Sequence, residues 1–192
     1  MMTAKKKKKK EFQRRMIIQR KGFKIITPAG EDIDLFDRPA REWGFTLRDY
    51  LIFLAGPSPR DDYSRDWRYE AFDLLEKYGF KGVVYSPTNV TFVKNDTEYL
   101  KKQVAWEVGG MECADLVVFW IPRSEKDPGL TTNIELGTLL PGPTSMYEIG
   151  MPDDAIKNDY IKIRLDRKYK EWYNTLEDLI KKVVERSQHP HG

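Results

Sequence analysis

The 192-residue sequence predicts an α/β fold, in which a mostly parallel β-sheet carries helices on both faces. Two observations support this prediction. Short runs of uninterrupted apolar residues are typical of strands that are buried on both faces. Between these runs lie longer segments with apolar residues at helical spacing. The hydrophobic fraction of 40% supplies enough apolar side chains for a core, which argues against global disorder.

Three apolar runs, each ended by a glycine or a proline, are predicted to be buried strands. They cover residues 50–55, 82–85 and 116–121. Residues 144–149 and 161–165 are predicted as further strands. A chain that alternates such strands with helices usually forms a parallel sheet through right-handed crossovers. We therefore expect a flavodoxin- or Rossmann-like sheet.

Helices are predicted over residues 64–78, 96–112 and 168–186, and a shorter helix over residues 131–140. The second of these helices carries apolar residues at intervals of three or four, which predicts one apolar face. The residues of that face are Leu100, Val104, Val108 and Met111.

The chain is predicted to have three parts. Residues 1–48 form an N-terminal extension, residues 49–186 form the α/β domain, and residues 187–192 form a short tail. Within the extension, two short apolar runs separated by a Gly-containing turn predict a hairpin over residues 12–28. Residues 28–48 contain scattered prolines and glycine and are predicted to be a connector.

The positive charge is concentrated at the N-terminus. Residues 1–24 carry a net charge of +10, whereas the remainder of the chain carries −7. The run Lys5–Lys10 could bind nucleic acid or another anionic surface. The alternative is a solvated tail without a specific partner, which is favoured because no aromatic residue lies between the lysines.

Cysteine and histidine are too few for several kinds of site. Cys113 is the single cysteine, which excludes an intramolecular disulfide and a cysteine-cluster zinc site. The two histidines, His189 and His191, both lie in the last four residues, so we expect no histidine metal site and no Ser-His-Asp triad. No apolar stretch reaches 18 residues, and none follows the basic N-terminus as in a secretory signal. We expect a cytoplasmic protein without metal or cofactor.

Ligands bind to open parallel sheets beyond the carboxyl ends of the strands. The loops predicted at that edge are residues 56–63, 86–95 and 122–133. The chemistry of this protein is therefore expected in these three loops and at the beginning of the helices that follow them.

The first loop begins with Gly56-Pro57-Ser58 and includes Arg60. A glycine directly after a strand lets a ligand approach the backbone closely. Ser58 and Arg60 could then hold a phosphate or a sugar hydroxyl. The alternative is a plain strand-to-helix turn, because neither a P-loop nor a GxGxxG motif is present.

Glu135 follows the third predicted strand and has two interpretations. Thr132 and Glu135 have the spacing of a helix capping box, in which Glu135 would bond back to the amide of Thr132. Alternatively, a carboxylate in the first helical turn stays ionised next to the positive end of the helix dipole. Such a carboxylate can act as a nucleophile at a sugar carbon.

Two more acidic residues are candidates. Glu107 lies on the helix before the third strand and could work opposite Glu135, because retaining glycosyl transfer needs two carboxyl groups about 5 Å apart. The alternative interpretation of Glu107 is a carboxylate without a catalytic role on the solvated face of the helix. Asp115 begins the third strand and either has a structural role or contacts the ligand.

The order and spacing of these segments resemble the nucleoside 2-deoxyribosyltransferase superfamily, in its deoxyribosyltransferase-like branch. The resemblance covers residues 50–186. The matching segments are, in order, Ile52–Pro57, Glu98–Leu100, Trp106–Glu107, Met111–Asp115 and Asn133–Gly137.

The resemblance implies an enzyme that transfers or hydrolyses a glycosidic bond, with Glu135 and Glu107 as its catalytic residues. Glu135 would attack the anomeric carbon and form a covalent deoxyribosyl-enzyme, and Glu107 would exchange a proton with the nucleobase. The sugar of a deoxynucleoside or its 5′-phosphate would pass to another base or to water. Relatives often carry an acid or a serine six residues before the nucleophile, where this chain has Gly129, and Asp127 lies nearby.

The resemblance also implies that Asn133 contacts the substrate and that the protein is a homo-oligomer, since relatives often complete the pocket from a neighbouring subunit. Two alternatives remain open at this point. The domain could bind a nucleotide without turnover, with Glu135 as a helix cap. The protein could also act on nucleic acid through the Lys5–Lys10 arm.

Overall fold

A computed structural model describes residues 17–28, 49–59, 65–88 and 97–189. The six strands within these ranges are β1 (Ile17–Gln19), β2 (Phe23–Ile26), β3 (Leu51–Ala55), β4 (Gly82–Tyr85), β5 (Leu116–Trp120) and β6 (Tyr147–Gly150). The five α-helices within the same ranges are α1 (Trp67–Lys77), α2 (Thr97–Cys113), α3 (Leu130–Leu139), α4 (Asp159–Asp166) and α5 (Leu176–Gln188). None of these helices is long and apolar enough to span a lipid bilayer.

The strands form one sheet in the order β1-β2-β4-β3-β5-β6, and every pair except β1–β2 is parallel. After β4 the chain crosses over β3 and adds β5 on its other side. The strand order therefore reverses between β3 and β5, and the crevice at such a reversal is where open α/β sheets bind ligands. The predicted flavodoxin- or Rossmann-like fold class is confirmed.

Two apolar layers cover the sheet. On one face, the buried side chains of the helices belong to α1 and α5: Trp67, Ala71, Phe72, Leu75, Leu179, Ile180 and Val183. On the other face they belong to α2, α3 and α4: Trp106, Met111, Leu136, Ile161 and Leu165. The helices that carry Glu107 and Glu135 therefore cover the same face of the sheet.

Helix α2 is attached to the sheet mainly through Trp106. This side chain is buried, and its ring centroid lies 6.0 Å from that of Phe53 and 6.1 Å from that of Tyr85. The predicted apolar face lies on α2, but three of its four members are exposed, because Trp106 rather than this stripe packs against the sheet. The exposed members are Leu100, Val104 and Val108.

The hairpin predicted near the N-terminus is confirmed, and it belongs to the sheet. Strand β1 pairs antiparallel with β2 around a turn in which Gly22 has φ +94°, and β2 pairs parallel with β4. Phe23 and Ile25 are buried in the core of the α/β domain. The hairpin and the domain thus share one core, while the proposed boundary at residue 48 stays a prediction. The Lys5–Lys10 run and most of the connector lie outside the described residues.

One predicted strand was wrong. Residues 161–165 lie in helix α4, and the strand predicted over residues 144–149 is observed as β6 after one turn of 3-10 helix (Thr144–Met146). The apolar residues Ile161 and Leu165 are four positions apart and both buried, which is the periodicity of a helix. The alternating pattern of this short segment fits a strand as well, so periodicity alone misassigned it.

Candidate active site

The loop after β3 packs on the beginning of α3, and this contact closes one side of the crevice. Pro57 is buried, and its carbonyl accepts a hydrogen bond from Trp67 Nε1 at 3.1 Å. Gly129 precedes α3 with φ +59°, and a Cβ atom added there would lie 2.6 Å from Pro57 Cγ. Both loops that flank the strand reversal therefore meet at the carboxyl edge of the sheet.

Packing against strand β5 explains why residue 56 is a glycine. Its φ is +147°, and an added Cβ atom would lie 2.1 Å from the carbonyl oxygen of Trp120. A side chain is therefore excluded by the end of the neighbouring strand β5, which accounts for the glycine without a ligand. Contact of Gly56 and Pro57 with substrate stays a prediction.

The capping box predicted for α3 is wrong. The helix begins at Leu130 after Gly129, without a side-chain cap. Thr132 is the third residue of the helix and fully buried, and its Oγ1 has no hydrogen-bond partner. Glu135 lies one turn further along and makes no bond back to the beginning of the helix. The capping alternative for Glu135 is thereby removed.

Glu135 and Glu107 lie close enough to influence each other's charge. Burial and, to a smaller extent, the negative charge of Glu107 raise the pKa of Glu135 to about 7, against the opposing charge of Arg68. Burial also raises the pKa of Glu107, against the hydrogen bond from Gln103 Nε2 (2.9 Å) and the charge of Arg68. The expected position of Glu135 in the first helical turn was wrong: Glu135 is the sixth residue of α3 and lies beyond the positive end of the helix dipole.

Arg68 is a buried cation that the sequence analysis missed. Only 1% of its surface is exposed. Its guanidinium donates to the carbonyl oxygens of Leu54 (3.2 Å) and Gly56 (2.7 Å) and to Ser58 Oγ (3.1 Å), and it forms an ion pair with Asp66 (3.2 Å). Arg68 therefore fixes the loop after β3 and at the same time brings positive charge to both carboxylates.

A signal for Arg68 was present in the sequence. Arg68 lies at the spacing of the apolar residues Ala71, Phe72 and Leu75 on the buried face of α1. An arginine on the apolar stripe of a helix requires a buried partner. Here the partners are the carbonyl groups of Leu54 and Gly56 at the end of β3 and the N-cap residue Asp66, which also accepts from the amide of Arg68 at 3.0 Å.

A second buried arginine follows β5. Arg123 is 6% exposed, and its Nη2 donates to Oδ1 of Asn133 on α3. Its Nη1 donates to the carbonyl oxygen of Lys157 at 3.3 Å. In the same loop, the amide of Asp127 donates to Ser124 Oγ at 3.1 Å. Asp127 and Asn133 thus lie at the carboxyl edge, in the loop and the helix turn where the sequence analysis expected them.

The structure favours the structural role of Asp115 over contact with the ligand. Asp115 lies at the amino end of β5, where Oδ2 accepts from the amide of Leu51 at 2.7 Å and its own amide donates to the carbonyl of Leu51 at 2.9 Å. This places Asp115 at the opposite edge of the sheet from Glu135, so we assign it the structural role of holding the beginning of β3. Arg60 lies outside the described residues.

Among the described residues, no cluster of three or more His, Cys, Asp or Glu side chains could hold a metal ion. The chemistry that these residues offer is that of two interacting carboxyl groups with one buried guanidinium nearby. Such a pair can supply an acid and a base, or a nucleophile and an acid.

Comparison with known proteins identifies a family for the region that carries these residues. Residues 49–151, more than half of the chain, match the model of a protein family described as nucleoside 2-deoxyribosyltransferase like. The matched region contains Glu107, Glu135 and Arg68. No curated protein matches the chain.

Proposed function

Because this chain belongs to the nucleoside 2-deoxyribosyltransferase-like family, we propose that it cleaves the N-glycosidic bond of a 2′-deoxynucleoside or of its 5′-phosphate. The sugar then passes to another nucleobase or to water. The observation that carries the proposal is the pair Glu135 and Glu107 at the carboxyl edge of the sheet, where each carboxyl group has a raised pKa.

Mutual repulsion favours the state in which the pair carries a single negative charge, because two nearby carboxylates are difficult to ionise together. A retaining glycosidic reaction starts from that state. It needs one ionised carboxylate to attack the sugar and one protonated carboxyl group to protonate the leaving base.

In the proposed first step, an ionised oxygen of Glu135 forms a bond to C1′ while the bond from C1′ to the base nitrogen breaks. The carboxyl proton of Glu107 moves to the departing base. In the second step, Glu107 takes a proton from the acceptor base or from water, the acceptor bonds to C1′, and the ester bond to Glu135 breaks. Both carboxyl groups return to their initial states, and no cofactor takes part.

The reverse assignment, with Glu107 as nucleophile and Glu135 as acid, has one observation in its favour. The group with the higher pKa is usually the acid, and the pKa of Glu135 is raised to about 7. We propose Glu135 as nucleophile because the family resemblance places that role in the Glu-Leu-Gly segment. The residue that carries the sugar in the intermediate separates the two assignments.

We propose that the substrate is held by the loops around the pair. The contributing residues are Gly56, Pro57, Ser58, Asp127 and Asn133, together with Arg60. Ser58 and Asn133 are exposed, although each already bonds to a buried arginine, Arg68 and Arg123 respectively. Substrate would therefore meet polar groups that are already oriented.

We also propose that the protein is a homo-oligomer. Helix α2 exposes Leu100, Val104 and Val108 along one stripe, next to the site at Glu107. A second copy of the chain that covers this stripe would also cover the open side of the crevice. Light scattering after size-exclusion chromatography should give at least twice the mass of one chain, and a monomeric mass would contradict the proposal.

The experiment for the enzymatic proposal is a chromatographic assay with deoxynucleosides and their 5′-monophosphates, with and without a free acceptor base. Wild-type protein should release free base, and a new nucleoside should appear only if the enzyme is a transferase. Glu135→Gln should form no product. Glu177→Gln is the matched control, because Glu177 lies on the far helix α5 and pairs with Lys77.

If folded wild-type protein yields no product from any substrate but binds a nucleotide, the catalytic proposal fails. The domain is then a nucleotide-binding module. Binding to DNA that weakens steeply with salt and disappears when residues 1–16 are removed would instead support a role of the lysine run.

A further inference from the structure

The two buried arginines at the carboxyl edge differ in their charge balance. Arg68 pairs with Asp66 at 3.2 Å and lies near Glu107 and Glu135. Arg123 has no ion pair with any residue that the structure describes; its bonded partners there are the amide oxygen of Asn133 and the carbonyl oxygen of Lys157. A buried charge without a counter-charge is costly for folding.

Arg123 also retains free hydrogen-bonding capacity. Its Nε is buried and has no hydrogen-bond partner. A guanidinium has five N–H donors, of which two are bonded here. Burial lowers the pKa of Arg123, which agrees with a cation that its surroundings do not neutralise. The nearby cation Lys157 is already paired with a carboxylate, since its Nζ lies 3.3 Å from Glu125 Oε2.

The beginning of α3 lies beside this guanidinium, since Asn133 belongs to its first turns. The helix has ten residues, and no side chain caps its N-terminus. Unbonded amides and the helix dipole make such an end attractive to anions. Leu130, Thr131, Asn133 and Ile134 are exposed, so solvent reaches this end of the helix. The buried hydroxyl of Thr132, without a hydrogen-bond partner, is a further donor in the same turn.

We propose that Arg123 and the first turn of α3 bind the 5′-phosphate of the substrate, which makes the substrate a deoxynucleotide rather than a deoxynucleoside. This inference rests on the proposed function, because Glu135 follows Asn133 by two residues on the same helix. The phosphate would supply the negative charge that Arg123 lacks and would accept from donors of the guanidinium and the helix end.

The first test compares kcat/KM for a deoxynucleoside 5′-monophosphate with that for the same deoxynucleoside. Wild-type protein should prefer the monophosphate by at least about 10²-fold, because a site built for a polar group discriminates strongly against its absence. Arg123→Gln should reduce this preference to a few-fold. Arg167→Gln, which removes an exposed arginine at the end of α4, should leave it unchanged.

The second test needs neither turnover nor a folded Arg123 variant. Asn133→Asp places a carboxylate on Arg123, so it should raise the thermal midpoint and abolish the stabilisation that deoxyribose 5-phosphate gives to the wild-type protein. Asn174→Asp is the matched control, since it makes the same substitution at an exposed position before another helix, α5, without a contact to Arg123. Its thermal midpoint should rise less, and stabilisation by deoxyribose 5-phosphate should persist.

The outcomes separate the two proposals. If the enzyme cleaves nucleosides and nucleotides equally well, and deoxyribose 5-phosphate does not stabilise it, the phosphate site is wrong while the proposed activity stands. A strong monophosphate preference that survives Arg123→Gln overturns the site as well. If no glycosidic activity is found but stabilisation by deoxyribose 5-phosphate is lost in Asn133→Asp, the phosphate site stands and the catalytic proposal fails.

Discussion

Glu148 and Glu135 are two partly or fully buried carboxylates of the same domain, and their surroundings are opposite. Glu148 on β6 is 2% exposed and accepts from Lys170 Nζ and Arg186 Nη1, each at 2.7 Å. Glu135 on α3 forms no ion pair with any described residue. Two charged side chains change its pKa: the negative charge of Glu107 raises it, and the positive charge of Arg68 lowers it.

The difference shows how this fold separates structure from chemistry. The cations on Glu148 come from the segment before α5 and from α5 itself, so the buried charge joins that part of the chain to the sheet. Glu135 forms no ion pair that would connect two described segments of the chain, and with a pKa of about 7 it can gain or lose a proton near neutral pH. An uncompensated carboxylate in a crevice is costly for folding, and such groups concentrate at sites where a ligand or a reaction uses them.

The largest expected effect is the loss of activity in Glu135→Gln, by about 10⁴-fold or more, because the nucleophile is removed. The free energy of unfolding should not fall, since glutamine has the same shape and removes a charge that repels Glu107. Initial rates and urea denaturation of the same preparation measure both quantities.

The pH dependence of stability sharpens this prediction. The pKa of Glu135 is raised from 4.5 to about 7 in the folded protein, so the folded state binds more protons than the unfolded chain between these values. The wild-type protein should therefore lose stability relative to Glu135→Gln as the pH rises through that range. If Glu135→Gln were less stable than the wild-type protein at pH 8, this account of Glu135 would be contradicted.

Glu148→Gln should show the opposite result. Removing one member of a buried ionic cluster leaves Lys170 and Arg186 without their carboxylate, so we expect the free energy of unfolding to fall by about 3 kcal/mol. The kcat of the protein that remains folded should stay within a few-fold of wild type. A loss of kcat as large as that of Glu135→Gln would remove the distinction between the two carboxylates.

Arg68→Gln should change the pH profile of the reaction. Below about pH 7 Glu135 is protonated in the free enzyme, so kcat/KM should fall about tenfold for each further pH unit. Arg68 lowers the pKa of both carboxyl groups, so its removal should move this acidic limb to higher pH.

Two further variants serve as controls for that profile. Arg68→Lys keeps the positive charge and should hold the acidic limb near its wild-type position. Arg65→Gln removes an exposed arginine whose ion pair with Asp73 is 3.5 Å long, and it should leave the profile unchanged. An acidic limb that is the same in Arg68→Gln and in wild type would show that Arg68 does not act on the pair.

The smallest expected effect is that of Gln103→Leu. Gln103 donates to Glu107 Oε1 at 2.9 Å and lowers the pKa of Glu107. Without this hydrogen bond, Glu107 keeps its proton to higher pH, so the alkaline limb of kcat/KM should move up by about half a pH unit to one unit. Lys101→Gln, two residues before Gln103 and exposed, should not move the alkaline limb. A shift of the alkaline limb to lower pH would contradict the role of Glu107 as acid.

The sequence was sufficient for the parallel sheet and for the two glutamates, because buried strands and helical spacing are local patterns. It was not sufficient for the partners of those glutamates. The exposure of Val104 and the misassigned strand at Ile161 both depend on where Trp106 and α4 pack. Arg68 acts across the fold on groups that are distant in sequence. Asp115 was placed correctly at the beginning of its strand, and the structural alternative agrees with that position, because ligands bind beyond the carboxyl ends of the strands.

The most direct test of the central claim is to find the residue that carries the sugar. The enzyme would be mixed with substrate without an acceptor base, quenched in acid within milliseconds, and digested with trypsin for mass spectrometry. Trypsin places Glu135 in the peptide of residues 127–157 and Glu107 in the peptide of residues 103–123. The account predicts a deoxyribosyl group on Glu135. A group on Glu107 would contradict that assignment, and turnover without any adduct on either peptide would contradict covalent catalysis by this pair.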